Sequence, residues 1–257
     1  MPDALTVSHN EVAALAGKAV RGLNKPWSEF DLIGNAVADL EAMGFNGVAR
    51  LADALPRLAG ESVRSPGRPS RQERDAHFNL NGRSAWHHLA NLANWLIEQD
   101  CDRLRLYNCP DAAAGIALLS HAVTDQNRLE FSFRDDDLGA YRAYRAIFHT
   151  PGHPPNIYRI PDDIDVLGMC RPGPPGPGPG PDKLVTAPDT ALLRVYRDLK
   201  NLPDQTPDLS TEQLLERRMN ALRTGLSPDP DAWRILHHRA KDTLVPTSVQ
   251  SESGAGE

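Results

Sequence analysis

Between Arg103 and Phe133 the hydrophobic period changes twice, and that succession constrains the fold more than any other stretch. Leu104 and Leu106 alternate with Arg103, Arg105 and Tyr107, the period of two of a half-buried strand. Pro110 at a first helical position, Asp111 beside it, and Ile116, Leu118 and Leu119 downstream then predict a helix from Pro110 to about Val123. Leu129-Glu130-Phe131-Ser132-Phe133 returns to alternation. Strand, helix and strand within about 30 residues have the length of a right-handed βαβ unit. Further strands are expected at Asn156 to Ile160 and Ile164 to Met169, around a Pro161-Asp162-Asp163 turn.

Helices are expected on both sides. Ser8-His9-Asn10-Glu11 has the form of a capping box, and Val12, Leu15, Ala16, Ala19, Val20 and Leu23 follow at helical spacing, predicting a helix from His9 to Gly22. Ser28 is the expected N-cap of a second helix, whose Ile33, Ala36, Val37, Leu40 and Met43 share a face and which Gly44 closes. Asn46 can cap a short third helix, with Pro56 as its interruption. Ser84 caps another, in which Trp86, Leu89, Leu92 and Leu96 align. Three more helical stretches are expected near Thr190 to Lys200, Ser210 to Thr224 and Asp231 to Lys241, the second opening on a Ser210-x-x-Gln213 capping box.

The expected class is α+β: an N-terminal helical unit (1–60), a loop (61–75), an α/β region with a small mixed sheet (76–170), a Pro/Gly linker or insertion (171–183) and a helical C-terminal part with a flexible tail (184–257). These parts read as one compact domain. From Arg171 to Asp182, Pro and Gly are too dense for either ladder to form. The four arginines of 61–75 could steer an anion, although a solvated loop accounts for them as well.

Composition narrows the setting. The three cysteines, Cys101, Cys109 and Cys170, are odd in number and form no CxxC pair, which fits a reducing, cytoplasmic compartment. The N-terminus has no basic segment followed by an apolar run, and no stretch approaches the roughly 18 apolar residues of a membrane span. A net charge of −6 argues against a general phosphate-binding surface, so nucleic acid is the minority reading. A small-molecule ligand and a homo-oligomer both remain open as partners.

The chemistry centres on Cys109. A thiol at a helix start meets free amides and the positive end of the macrodipole, which lower its pKa below about 8.5. Asp111 opposes this, since a nearby carboxylate penalises a second negative charge. His87 or His88 could assist as acid or base, whereas His121 falls at the far end of the same expected helix. A buried, inert cysteine is the ordinary alternative. His149 and His153 with Asp162 or Asp163 could form an N/O metal site, but a Pro/Gly loop does not fix them as a helix face would, and no metal is assigned. Asp135-Asp136-Asp137 reads as a turn or a helix start. No Walker loop and no G-x-G-x-x-G after a strand occurs, so no cofactor is named.

Three islands carry a family resemblance. The opening, with Ser8-His9-Asn10-Glu11, Lys18-Ala19, Arg21-Gly22 and Trp27, resembles that of a mainly bacterial family described as domain of unknown function 3726. Cys109-Pro110-Asp111-Ala112-Ala113-Ala114-Gly115 with Leu118 is similar to its central segment. Val245-Pro246-Thr247-Ser248 through Ser251-Glu252-Ser253-Gly254-Ala255-Gly256 is similar to its tail. The resemblance implies a shared fold and no particular reaction, and it draws attention to Cys109 and the tail. Asn108, Asp111, Ser248, Ser251 and Gly254 are accordingly the candidate ligand-binding residues, with the tail expected to fold over Cys109.

Two readings remain. One is a cytoplasmic enzyme of small-molecule metabolism using Cys109, with His88 or His87 assisting. The other is a non-catalytic ligand-binding or assembly subunit in which Cys109 is packed.

Overall fold

The computed structural model describes residues 5–23, 29–61, 67–135, 142–160, 191–197 and 206–243. The fold is α+β and divides into two units, Met1–Val63 with Ala221–Glu257, and Arg64–Asn220.

In the first unit, α1 (His9–Arg21), α2 (Phe30–Met43) and α3 (Gly47–Gly60) pack with a later helix, α7 (Pro230–Ala240). The capping box of α1 is present in full: Glu11 N–H donates to Ser8 Oγ at 3.2 Å and Ser8 N–H to Glu11 Oε2 at 2.7 Å. The apolar stripe behind it, Val12, Ala16, Ala19 and Val20, is wholly excluded from water. Burying each valine contributes about 1.5–3 kcal/mol. Gly34 lets α2 lie against α1, because a Cβ there would stand 2.4 Å from the Ala13 carbonyl oxygen. Gly44 ends α2 in the left-handed region, φ 86°. The first residues of the chain and the approach to α7 are joined by an antiparallel bridge, Val7 to Leu226.

Two expectations for this unit are corrected. Asn46 stands at the N-cap of α3 but is left-handed (φ 52°, ψ 48°) and makes no side-chain cap. Glu41 of α2 does the capping instead, accepting Val48 N–H at 2.9 Å, and burial raises its carboxyl above the ordinary range. Nor does Pro56 interrupt α3, which runs through it to Gly60. Ser28 lies outside the described residues, and α2 begins after Glu29 with no side-chain cap.

The second unit is built on a seven-stranded mixed sheet, larger than the small sheet expected. In chain order its elements are β1 (Ser70–Gln72), β2 (Asp75–Asn79), α4 (Ala85–Glu98), β3 (Arg103–Tyr107), a turn cluster containing α5 (Gly115–Leu118), β4 (Arg128–Asp135), β5 (Arg142–Phe148), β6 (Asn156–Ile160), β7 (Ala191–Tyr196) and α6 (Thr211–Thr224). The spatial order is β1-β2-β3-β7-β4-β5-β6. α6 keeps its capping box, with Gln213 N–H donating to Ser210 Oγ at 3.3 Å and Ser210 N–H to Gln213 Oε1 at 2.8 Å. The Ile164 to Met169 strand, the Pro/Gly segment and the tail lie outside the described residues.

The strand order corrects the expected βαβ unit. β3 and β4 are each antiparallel to β7 and so run in the same direction, but β7 is inserted between them. The adjacent parallel pair joined by a helix is β2-α4-β3. β7 occupies the stretch expected to be a helix near Thr190 to Lys200. Its Ala191, Leu192, Leu193 and Val195 are all buried, so the segment shows no alternation in sequence. β1 and the start of β2 fall within the expected 61–75 loop. Asp135 is the last residue of β4 and buried, not a turn or helix start.

Directly paired residues share a face. One face carries Ala76, Leu104, Leu193, Phe131, Ala146 and Ile157 in a single cross-strand row, and α4 and the α5 cluster pack on it. The opposite face sets polar side chains beside the buried Leu192 and Ile147. Glu130, 3 % exposed, lies there between Arg194 Nη1 at 3.3 Å and the Tyr196 hydroxyl, which donates to it at 2.7 Å.

Candidate active site

Cys109 follows β3 directly. Asn108 before it and Asp111 after it are both left-handed, with φ 47° and 62°, so the chain reverses sharply on either side of the thiol. The loop is fastened to the start of α4 at several points. Asn108 accepts Gly82 N–H at 3.1 Å through its carbonyl, and Pro110 accepts Ala85 N–H at 3.0 Å. Ser84 Oγ donates to Asp111 Oδ2 at 2.5 Å while accepting Trp86 N–H at 3.3 Å as the N-cap of α4. Asn108 Nδ2 donates to Asn79 Oδ1 at 2.9 Å, and that oxygen also accepts Asn81 N–H at 2.8 Å. The carboxyl ends of β2 and β3 and the first turn of α4 are therefore one hydrogen-bonded assembly around Cys109.

The expected helix from Pro110 does not form as one piece. Ala112–Ala114 is a 3₁₀ turn, α5 holds four residues, and Leu119–Ala122 is again 3₁₀. Asp111, at the N-cap of the first turn, makes no side-chain cap. With so few aligned peptides, the macrodipole that was to favour a thiolate is small. Cys109 is itself 1 % exposed.

His87 and His88 lie half-buried in the first turn of α4, their rings edge-to-face with centroids 4.5 Å apart. Ala85, two residues before His87, donates its N–H to the Pro110 carbonyl, which ties the first turn of α4 to the residue after Cys109. His121 is exposed in the last 3₁₀ turn. His149 is half-buried, and burial followed by the Arg128 charge lowers its pKa, while His153 is exposed. Among the described residues no group of three or more His, Cys, Asp or Glu is arranged to hold a metal ion. Asp162, Asp163, Ser248, Ser251 and Gly254 lie outside the described residues.

The arginines of the 61–75 stretch are partly engaged: Arg74 pairs with Asp100 and Asp102 at 3.3 and 2.9 Å, and Arg71 donates to the Glu73 carbonyl at 2.6 Å. Sequence reasoning missed His77, whose Nδ1 lies 3.0 Å from the Tyr107 hydroxyl. The signal was available in the alternation of Ala76 and Phe78 with His77 and Asn79, but it is only five residues long. Among the described residues no helix is long and apolar enough to cross a membrane.

Solved structures of similar fold match over nearly the whole chain. A malate dehydrogenase from Entamoeba histolytica superposes with a TM-score of 0.58 at 8 % identity, covering 95 % of this chain and 100 % of that one. A dehydrogenase from Sinorhizobium meliloti gives 0.57 at 12 % identity, covering 92 % and 99 %. A delta1-piperideine-2-carboxylate reductase from Pseudomonas syringae gives 0.53 at 12 % identity, covering 91 % and 99 %. At such identities the likeness is one of fold. No curated protein matches the sequence. Residues 7–92 match the model of the family described as "Protein of unknown function (DUF3726)", the family that the sequence resembles.

Proposed function

We propose that the protein is a cytoplasmic enzyme acting on a small polar organic molecule, with its reacting centre at the carboxyl end of β2-α4-β3 and Cys109 as nucleophile or acid/base. The observation that carries this reading is the position of Cys109: it stands where two parallel strands joined by a crossover helix end. In sheets with parallel strands, ligands characteristically bind outside those ends. The His87–His88 pair at the start of α4 supplies the assisting imidazole. The whole-length likeness to dehydrogenases and a reductase supports an enzyme over a purely structural protein. The free Cys101 and Cys109 support a reducing compartment.

A second reading has its own observation. Cys109 is 1 % exposed and the helical segment nearest after it is only a 3₁₀ turn from Ala112, the environment of a packed thiol in a ligand-binding subunit. The two readings separate in one experiment. The full chain is incubated with a mixture of small hydroxy and oxo acids in a cell-metabolite extract, and substrate consumption is followed by mass spectrometry. Cys109→Ser and Cys109→Ala are expected to abolish consumption while unfolding as cooperatively as the wild type. Equal consumption by all three chains overturns the role of Cys109, and no consumption by the wild type favours the binding subunit.

A further inference from the structure

The register of the parallel pair β2 and β3 sets Asp75 beside Arg103, His77 beside Arg105 and Asn79 beside Tyr107. These six side chains form a polar ladder on the face opposite Ala76 and Leu104. Its rungs are not satisfied alike. Arg103 Nε donates to Asp75 Oδ1 at 2.7 Å, so the first rung is neutral overall. In the middle, the His77 ring stacks on Tyr107, with centroids 6.1 Å apart and planes 10° from parallel. Arg105 is half-buried, and among the described residues no carboxylate lies within ion-pair distance of it. Among the described residues the ladder therefore holds one positive charge without a counter-charge, partly withdrawn from water, where an unpaired ion is costly.

We infer that Arg105 and His77 form a recognition site for the carboxylate of a small organic acid. This goes beyond the reading of the β2/β3 carboxyl end as the reacting centre, because the two residues lie mid-strand on the face opposite the one that α4 covers. The guanidinium offers a planar fork of N–H donors that matches the two oxygens of a carboxylate. In the tautomer that accepts the Tyr107 hydroxyl at Nδ1, 3.0 Å away, His77 carries its hydrogen on Nε2, a further donor for the carboxylate. Burial and then the Arg105 charge keep the imidazole neutral, so the site presents one formal positive charge, which a single carboxylate neutralises. Malate and piperideine-2-carboxylate, the compounds in the names of two fold neighbours, both carry carboxylates, in keeping with this class.

The test uses the full chain and malonate as the probe, with malonamide and inorganic phosphate for comparison, and reads dissociation constants by calorimetry. Malonate is expected to bind, malonamide not to bind, and phosphate to bind more weakly. Arg105→Gln should weaken malonate by about tenfold or more, the loss expected for a charge-assisted hydrogen bond. Arg105→Lys, which keeps the charge without the fork, should fall between the two and serves if the glutamine variant does not fold. His77→Phe, which keeps the stack on Tyr107, should weaken malonate several-fold. Unchanged malonate binding in Arg105→Gln, no binding by the wild type, or phosphate binding as tight as malonate each overturn the inference. Consumption that depends on Cys109 but malonate binding that ignores Arg105 would sink the carboxylate site alone. The converse would sink the reacting centre alone.

Discussion

Ser84 Oγ donates to Asp111 Oδ2 at 2.5 Å, joining the N-cap of α4 to the left-handed residue that follows Cys109 and Pro110. One hydroxyl serves two elements that are 27 residues apart in sequence, because it also accepts Trp86 N–H. Ser84 is completely buried, so neither bond is replaced by water when the hydroxyl is removed. Ser84→Ala is expected to lower stability by about 1–3 kcal/mol, combining a lost cap with a lost hydrogen bond to the Asp111 carboxylate. Urea unfolding of the variant checks this, and a change within error of zero would contradict the described geometry.

Gly115 holds α4 and β4 at close range. A Cβ there would meet Phe131 Cε1 at 2.5 Å and Leu89 Cδ2 at 2.8 Å, and both side chains are fully buried with no room to withdraw. Gly115→Ala should therefore destabilise by about 1–3 kcal/mol despite alanine's better helix propensity. The same change at Gly60, where a Cβ would meet nothing within 4 Å, should be far milder. Thermal unfolding of the two variants side by side decides between crowding and a generic backbone effect.

His77 should titrate below the ordinary imidazole range. Burial disfavours its charged form first, Arg105 on β3 adds repulsion, and Asp75 on its own strand opposes both in part. The other groups facing it are the Tyr107 hydroxyl on β3 and, from β1, Ser70, whose Oγ donates to the His77 carbonyl at 3.2 Å. The unfolded chain titrates near the ordinary value of about 6.5 and so binds more protons at mildly acidic pH than the folded chain. The contribution of His77 to stability is thus present above that pH and lost as the pH falls through the lower folded value. Arg105→Gln should raise the titration midpoint seen in the ring-proton NMR signal. A midpoint at or above the ordinary value in the wild type, or one unmoved by the substitution, would refute this account.

Elements with local signals were legible. Capping boxes at Ser8 and Ser210, the Ser84 cap, and the alternation of Leu104 with Leu106 depend on residues within one or two turns of each other, and each appears where its pattern places it. The Cys109 loop was legible only as a strand followed by a break. Asp111 could occupy a helix or a left-handed position, and its partner Ser84 lies too far along the chain for spacing to reveal the choice.

By itself the sequence determined the α+β class, most helix starts and the delivery of Cys109 by a strand, since propensity, capping and periodicity act between near neighbours. Tertiary structure decided that Ala191–Tyr196 is the strand between β3 and β4, because a run buried on both faces reads equally as helix or strand until its partners are present. It also decided which polar side chains meet. His77 and Tyr107 are 30 residues apart, and only the parallel register of β2 on β3 makes them neighbours, with Arg105 left beside them as a half-buried charge.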